Sequence, residues 1–107
     1  MTIYRKKYTE CYNESMSKID PNTQEHIRRK EDIICQSPKS NGFLKKNLQG
    51  IRRYKNKLRI LYVLTGEYDS PLIDMKEHPA VYFLFADVRR DDTYKDAYKY
   101  LKRNGIV

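Results

Sequence analysis

The chain has 107 residues, enough for one modest core and too few for two. Only 39% of its residues are apolar and 34% are charged, so the core must be small and the surface crowded with charge. The formal charge of +8 carries a self-repulsion that a polyanionic partner would offset; a generally basic surface with no specific client is the bland alternative. Ten tyrosines, three phenylalanines and no tryptophan supply the aromatic content, a choice that suits a core whose rings reach its edge. No apolar run approaches a membrane span, and the opening MTIYRKKYTE lacks the apolar centre of a signal peptide, so a cytoplasmic protein with no membrane contact is expected.

In chain order, Thr2 to Lys7 reads as a short strand. Tyr8, Tyr12, Met16 and Ile19 then recur at helical spacing, with Thr9 as the cap, and core packing explains that stripe better than a partner groove. Asp20 followed by Pro21 announces a second helix running to about Cys35. Ile27 and Ile34 should face inward and Arg28, Arg29 and Lys30 largely outward, with Glu25 near the positive end of the helix. SPKSNG breaks this helix, and the two helices form a hairpin suited to covering a sheet. Cys11 and Cys35 lie one in each helix, where ordinary reduced thiols are expected and a bridge between the helices is possible.

From Ile33 through Gly66 there is no acidic residue, while Lys39, Lys45, Lys46, Arg52, Arg53, Lys55, Lys57 and Arg59 all fall inside that stretch. Within it, Ile51 to Lys55 and Leu58 to Thr65 read as paired strands joined at Asn56 and Lys57. Glu67 to Ala80 is rich in turn formers and reads as a long connection with room for one short turn. VYFLFADV, residues 81 to 88, is apolar on both faces and suits a central strand. Asp91 or Asp92 can cap a last helix whose Tyr94, Ala97, Tyr98 and Leu101 form an apolar stripe, with Asn104 and Gly105 as its stop.

His26 and His78 are isolated, no GxSxG, GxxxxGK[ST] or GxGxxG occurs, and neither a metal nor a cofactor is expected. What remains is arginine, lysine and tyrosine. These suffice for metal-free RNA cleavage, because the nucleophile can be the substrate's own 2'-hydroxyl aimed at the adjacent phosphate. Arginine clamps phosphate oxygens and stabilises charge in the transition state. Lysine and tyrosine could move protons, given neighbouring cations to lower pKa values that ordinarily lie near 10.

LQGIRRYKNKLRILY, residues 48 to 62, resembles the strand pair of RelE/ParE-type toxins, and VYFLFADVRRDDTY, residues 81 to 94, resembles their last strand and closing basic-to-tyrosine motif. The resemblance implies a single α+β domain over residues 1–107: a small twisted antiparallel sheet of about four strands, an N-terminal helical hairpin packed on it and a C-terminal helix. It also implies a toxin held inactive by a cognate antitoxin through an acidic, partly disordered segment. In the RelE-like branch the activity is metal-independent cleavage of messenger RNA in the ribosomal A site. Carried over by motif, Lys55, Arg59, Arg89, Arg90 and Tyr94 are the implied catalytic residues and Arg53 an RNA-binding one; Lys45, Lys46 and Lys57 of the acid-free stretch, with Arg52 as the alternate to Arg53, are expected to bind RNA beside them. A ParE-like gyrase inhibitor and a non-catalytic RNA-binding relative share the scaffold. The turn at Asn56 and Lys57 is shorter than is common in the family. A two-residue turn sets Arg59 opposite Tyr54 on the face of Arg52, and a three-residue loop sets it opposite Arg53.

Overall fold

A computed structural model describes residues 4–88 and 93–107. Strand β1 (Arg5–Tyr8) leads into helices α1 (Glu10–Ser17) and α2 (Pro21–Gln36). Strands β2 (Arg52–Lys55), β3 (Leu58–Leu64) and β4 (Ala80–Val88) follow, and helix α3 (Thr93–Arg103) closes the chain. The strands form one sheet in the order β1-β4-β3-β2. β2, β3 and β4 are antiparallel neighbours, as expected, whereas β1 lies parallel to β4, so the sheet is mixed within an α+β fold. The connection from β3 to β4 holds one 3-10 turn, Met75–Glu77.

The helical boundaries follow from caps. The Thr9 hydroxyl accepts from the Tyr12 amide at 3.2 Å, and the Asp20 carboxylate accepts from the Thr23 amide at 3.0 Å with Pro21 in the first turn. Because Thr9 caps α1, Tyr8 is the last residue of β1 instead of the first of the helical stripe; Thr2 and Ile3 lie outside the described residues. Glu25 falls beyond the first turn of α2 and pairs with Arg29 at 2.9 Å. The Asp91 and Asp92 caps expected for α3 also lie outside the described residues.

Strand alternation sorts the core into two clusters. Ile60, Tyr62, Leu64 and Phe83 meet Tyr12, Met16, Ile27 and Ile34 of the helical hairpin. Leu61, Val63, Leu84 and Phe85 meet Ala97 and Leu101 of α3 on the other face. Leu84 is the extra residue of a bulge opposite Leu61 and Tyr62, which lets Leu84 and Phe85 both pack toward α3. Cys11 and Cys35 are free buried thiols in different clusters, Cys11 on the α3 side.

β1 covers only the first half of β4. Beyond it α1 runs along that edge, and the Ser15 hydroxyl accepts the Ala86 amide at 3.1 Å, a donor that a longer β1 would otherwise satisfy. α1 also tethers α3: Lys18 donates to the Tyr100 hydroxyl and Arg103 pairs with Glu14 at 2.5 Å. These contacts hold the second half of α3 against α1.

Candidate nucleic-acid interface

The strand pair is built on its turn. The Asn56 amide donates to the Leu58 carbonyl at 3.1 Å, and the Asn56 side chain accepts from the Lys57 amide at 2.9 Å. The last paired residues are Lys55 and Arg59, so Arg59 lies opposite Lys55, not opposite Tyr54 or Arg53 as the two sequence-based registers required. The physical reason lies in the second strand. Leu61 and Val63 must face α3 while Ile60 and Tyr62 face the hairpin, and pairing Lys55 with Arg59 keeps β2 in step with that pattern. Alternation then puts Arg53, Lys55 and Arg59 on the α3 face and Arg52 and Tyr54 on the hairpin face.

On the α3 face, Lys55 is exposed and Arg59 is buried, with its guanidinium donating to the Asn56 and Leu58 carbonyls. Tyr94 arrives from the first turn of α3, where the Thr93 hydroxyl donates to the Val88 carbonyl at 3.2 Å. Its own hydroxyl accepts from Arg53 Nη1 at 3.2 Å. Across β3, Arg59 is in register with Asp87 of β4. The arrangement thus brings Arg53, Lys55, Arg59 and Tyr94 together. Arg89 and Arg90 lie outside the described residues.

Arg52 is placed elsewhere. It is only 8% exposed, and Nε and Nη2 bond the two carboxylate oxygens of Glu67 at 2.9 and 2.8 Å. Nη1 donates to the Asn41 carbonyl at 2.5 Å, and the guanidinium lies 4.0 Å from the centre of the Phe43 ring. Hydrogen bonds from Arg52 hold the Glu67 carboxyl below the usual glutamate range. This guanidinium therefore fastens the β2 edge to the segment after β3, and expecting it on an RNA surface conflicts with where its donors point.

Lys57 is exposed at the turn, while Lys45 and Lys46 are exposed near the Gly50 end of β2. Among the described residues none of Lys45, Lys46, Lys55 and Lys57 forms an ion pair, which leaves their charge available to solvent and ligand. Also among the described residues, no group of three histidine, cysteine or acidic side chains could hold a metal, and no helix is long and apolar enough to cross a membrane. Phe43, an aromatic directly before Leu44, Lys45 and Lys46 in the acid-free stretch, is exposed at the same edge.

No protein-family model and no curated protein matches this chain. Solved structures do. A chain of the toxin–antitoxin complex RelBE2 from Mycobacterium tuberculosis superposes with a TM-score of 0.67 at 21% identity, covering 85% of this chain and 97% of that one. This chain has the RelE fold. The isolated E. coli RelE toxin is a second neighbour, with a TM-score of 0.56 at 18% identity over 92% of this chain and 98% of its own. The resemblance drawn from residues 48 to 62 and 81 to 94 is therefore borne out in the RelE fold, with helical hairpin, sheet and last helix in the expected order.

Proposed function

We propose that this RelE-fold chain is the toxin of a toxin–antitoxin pair and that it cleaves messenger RNA on the ribosome without a metal. The observation that carries the reading is the shared face of Arg53, Lys55, Arg59 and Tyr94, three cations and a phenol with no metal-binding group among the described residues beside them. Such a face binds the backbone by charge and leaves the substrate to supply the nucleophile.

In this reading the 2'-hydroxyl attacks the adjacent phosphorus, the bond to the 5'-oxygen of the next nucleotide breaks, and a 2',3'-cyclic phosphate and a 5'-hydroxyl result. Lys55, exposed at the rim, helps activate the 2'-hydroxyl by stabilising the oxyanion that forms as solvent takes its proton. Arg53, oriented by its bond to Tyr94, holds a non-bridging oxygen. Arg59 sits below them, where a partly desolvated cation acts on the developing negative charge more strongly than an exposed one. Arg89 or Arg90 completes the clamp and stabilises the charge on the leaving oxygen, which takes its proton from water, as their place in the sequence motif suggests.

An antitoxin is the expected partner, since one structural neighbour is a toxin–antitoxin complex. Its acidic, partly disordered segment would neutralise the same face. Inducing the chain and mapping message ends by primer extension tests the function. Cuts at ribosome-occupied codons are expected, lost in Arg53→Ala and Lys55→Ala and weakened in Tyr94→Phe. Intact messages together with blocked supercoiling by gyrase would refute the proposal.

A further inference from the structure

We propose that Phe43, flanked by Lys45 and Lys46, is a stacking platform for one unpaired base of a single-stranded RNA, separate from the Lys55–Arg59 row. The proposal deepens the reading above and rests on it for the identity of the polyanion.

Phe43 is 48% exposed and belongs to neither core cluster, so the core does not account for its ring. Its backbone pairs with Arg52 on the outer side of β2, which makes it the outermost residue of the sheet. The ring is nonetheless held. Arg52 lies against it at 4.0 Å, and that guanidinium is itself fixed by Glu67 and the Asn41 carbonyl. A ring that is anchored yet half exposed loses little freedom when a base stacks on it.

The surroundings favour a polyanion. Phe43, Lys45, Lys46 and Gln49 border an open groove of about 560 Å³, within the size range of small-ligand sites. The carboxylate bordering the groove, Glu67, is neutralised by Arg52. Lys46 has a backbone φ of 59°, a left-handed turn unusual for lysine. Aromatic ring, paired lysines and an amide together match the chemistry that binds single strands: stacking for the base, charge for the phosphates. The groove lies toward the Gly50 end of β2, beside Arg52 of the hairpin face, whereas Lys55 and Arg59 lie at the turn end on the α3 face, so a strand touching both places would cross the β2 edge.

The chain has no tryptophan, so Phe43→Trp installs a single indole reporter at the platform. The probes are a 2'-O-methyl oligoadenylate that cannot be cut, an abasic chain of equal length, and polyglutamate. The oligoadenylate is expected to quench the indole, and the abasic chain to leave it unquenched. By anisotropy, Phe43→Leu should weaken oligoadenylate binding about tenfold with an unchanged melting temperature. The double variant Lys45→Ala with Lys46→Ala should lower the salt slope of binding by about 1.4. Equal quenching by the abasic chain, wild-type affinity in Phe43→Leu, or quenching by polyglutamate alone would overturn the platform, the last in favour of an acidic protein partner. Loss of ribosomal cleavage activity with quenching intact would refute the nuclease reading and leave the platform standing; cleavage without quenching would do the reverse.

Discussion

Lys55 and Arg59 stand directly opposite each other across the β2–β3 hairpin, two cations on one face with Arg53 two residues along. Opposed like charges weaken a strand pair, and opposed unlike charges strengthen it, each by about 0.2–1 kcal/mol. Lys55→Glu should therefore raise the melting temperature by a few degrees, since about 1 kcal/mol corresponds to roughly 4–8 °C in a domain near this size. The same variant should weaken RNA binding and abolish growth inhibition. Stabilisation with retained toxicity would remove Lys55 from the site.

The Arg52–Glu67 pair makes the opposite kind of prediction, because here the charge serves the fold. Glu67→Gln leaves a guanidinium that is 8% exposed with one neutral acceptor in place of a carboxylate, at a cost of about 1–3 kcal/mol at neutral pH. Arg52 depresses the Glu67 pKa, so its stabilisation is full above the ordinary glutamate value near 4.3 and is lost as pH falls through the lower folded value. Thermal melts of the two proteins should differ at pH 7 and begin to converge below about pH 4, as pH falls through the lowered folded value. A gap that persists in acid would mean that the carboxylate charge is not the cause.

What could be read in the sequence was what local chemistry decides. Asp20 and Pro21 mark the α2 start by a side-chain cap, and residues 81 to 88 announce a strand buried on both faces. Local pattern could not decide the boundary at Tyr8 and Thr9, because Tyr8 fits a helical stripe equally well until β4 takes it as a strand partner. The parallel pairing was hidden for the same reason: β1 and β4 are brought together only by the whole intervening chain. Arg52 and Arg53 are alike as letters. Strand parity turns them to opposite faces, and Glu67, beyond the end of β3, claims one of them. The pairing of Lys55 with Arg59 sets that parity, and a two-residue turn of Asn56 and Lys57 with Lys55 opposite Leu58 misses it.

Tyr62 tests the hairpin side of the core at high pH. It is fully buried, donates to the Pro38 carbonyl at 2.6 Å, and accepts from Asn41 at 3.1 Å. Burial pushes its phenol up to about 12, and burial together with Glu31 pushes Tyr8 up to about 12. A raised folded pKa means that this stability is complete below pH 10 and is lost as pH climbs from about 10 to 12. Tyr62→Phe should cost about 1–2 kcal/mol at pH 7 by orphaning the carbonyl, and the difference from wild type should shrink across that alkaline window. Absorbance at 295 nm should show Tyr62 ionising only as the fold opens.

Gly50, the glycine of the Leu-x-Gly opening, should accept a side chain only at a cost in stability. Its φ is +89°, and an added Cβ would meet Cδ2 of Tyr68 at 3.1 Å. That ring is held in place, because the Tyr68 hydroxyl donates to the Ile106 carbonyl at 2.8 Å and ties the long connection to the chain end after α3. Gly50→Ala should cost about 1–3 kcal/mol, part from backbone strain and part from the displaced ring. Removing the ring separates the two parts. In the Tyr68→Ala background, Gly50→Ala should cost only the strain component, about 1 kcal/mol, so a double-mutant cycle by urea denaturation should give a coupling above about 0.5 kcal/mol. Additive losses would mean that Gly50 is required by backbone conformation alone.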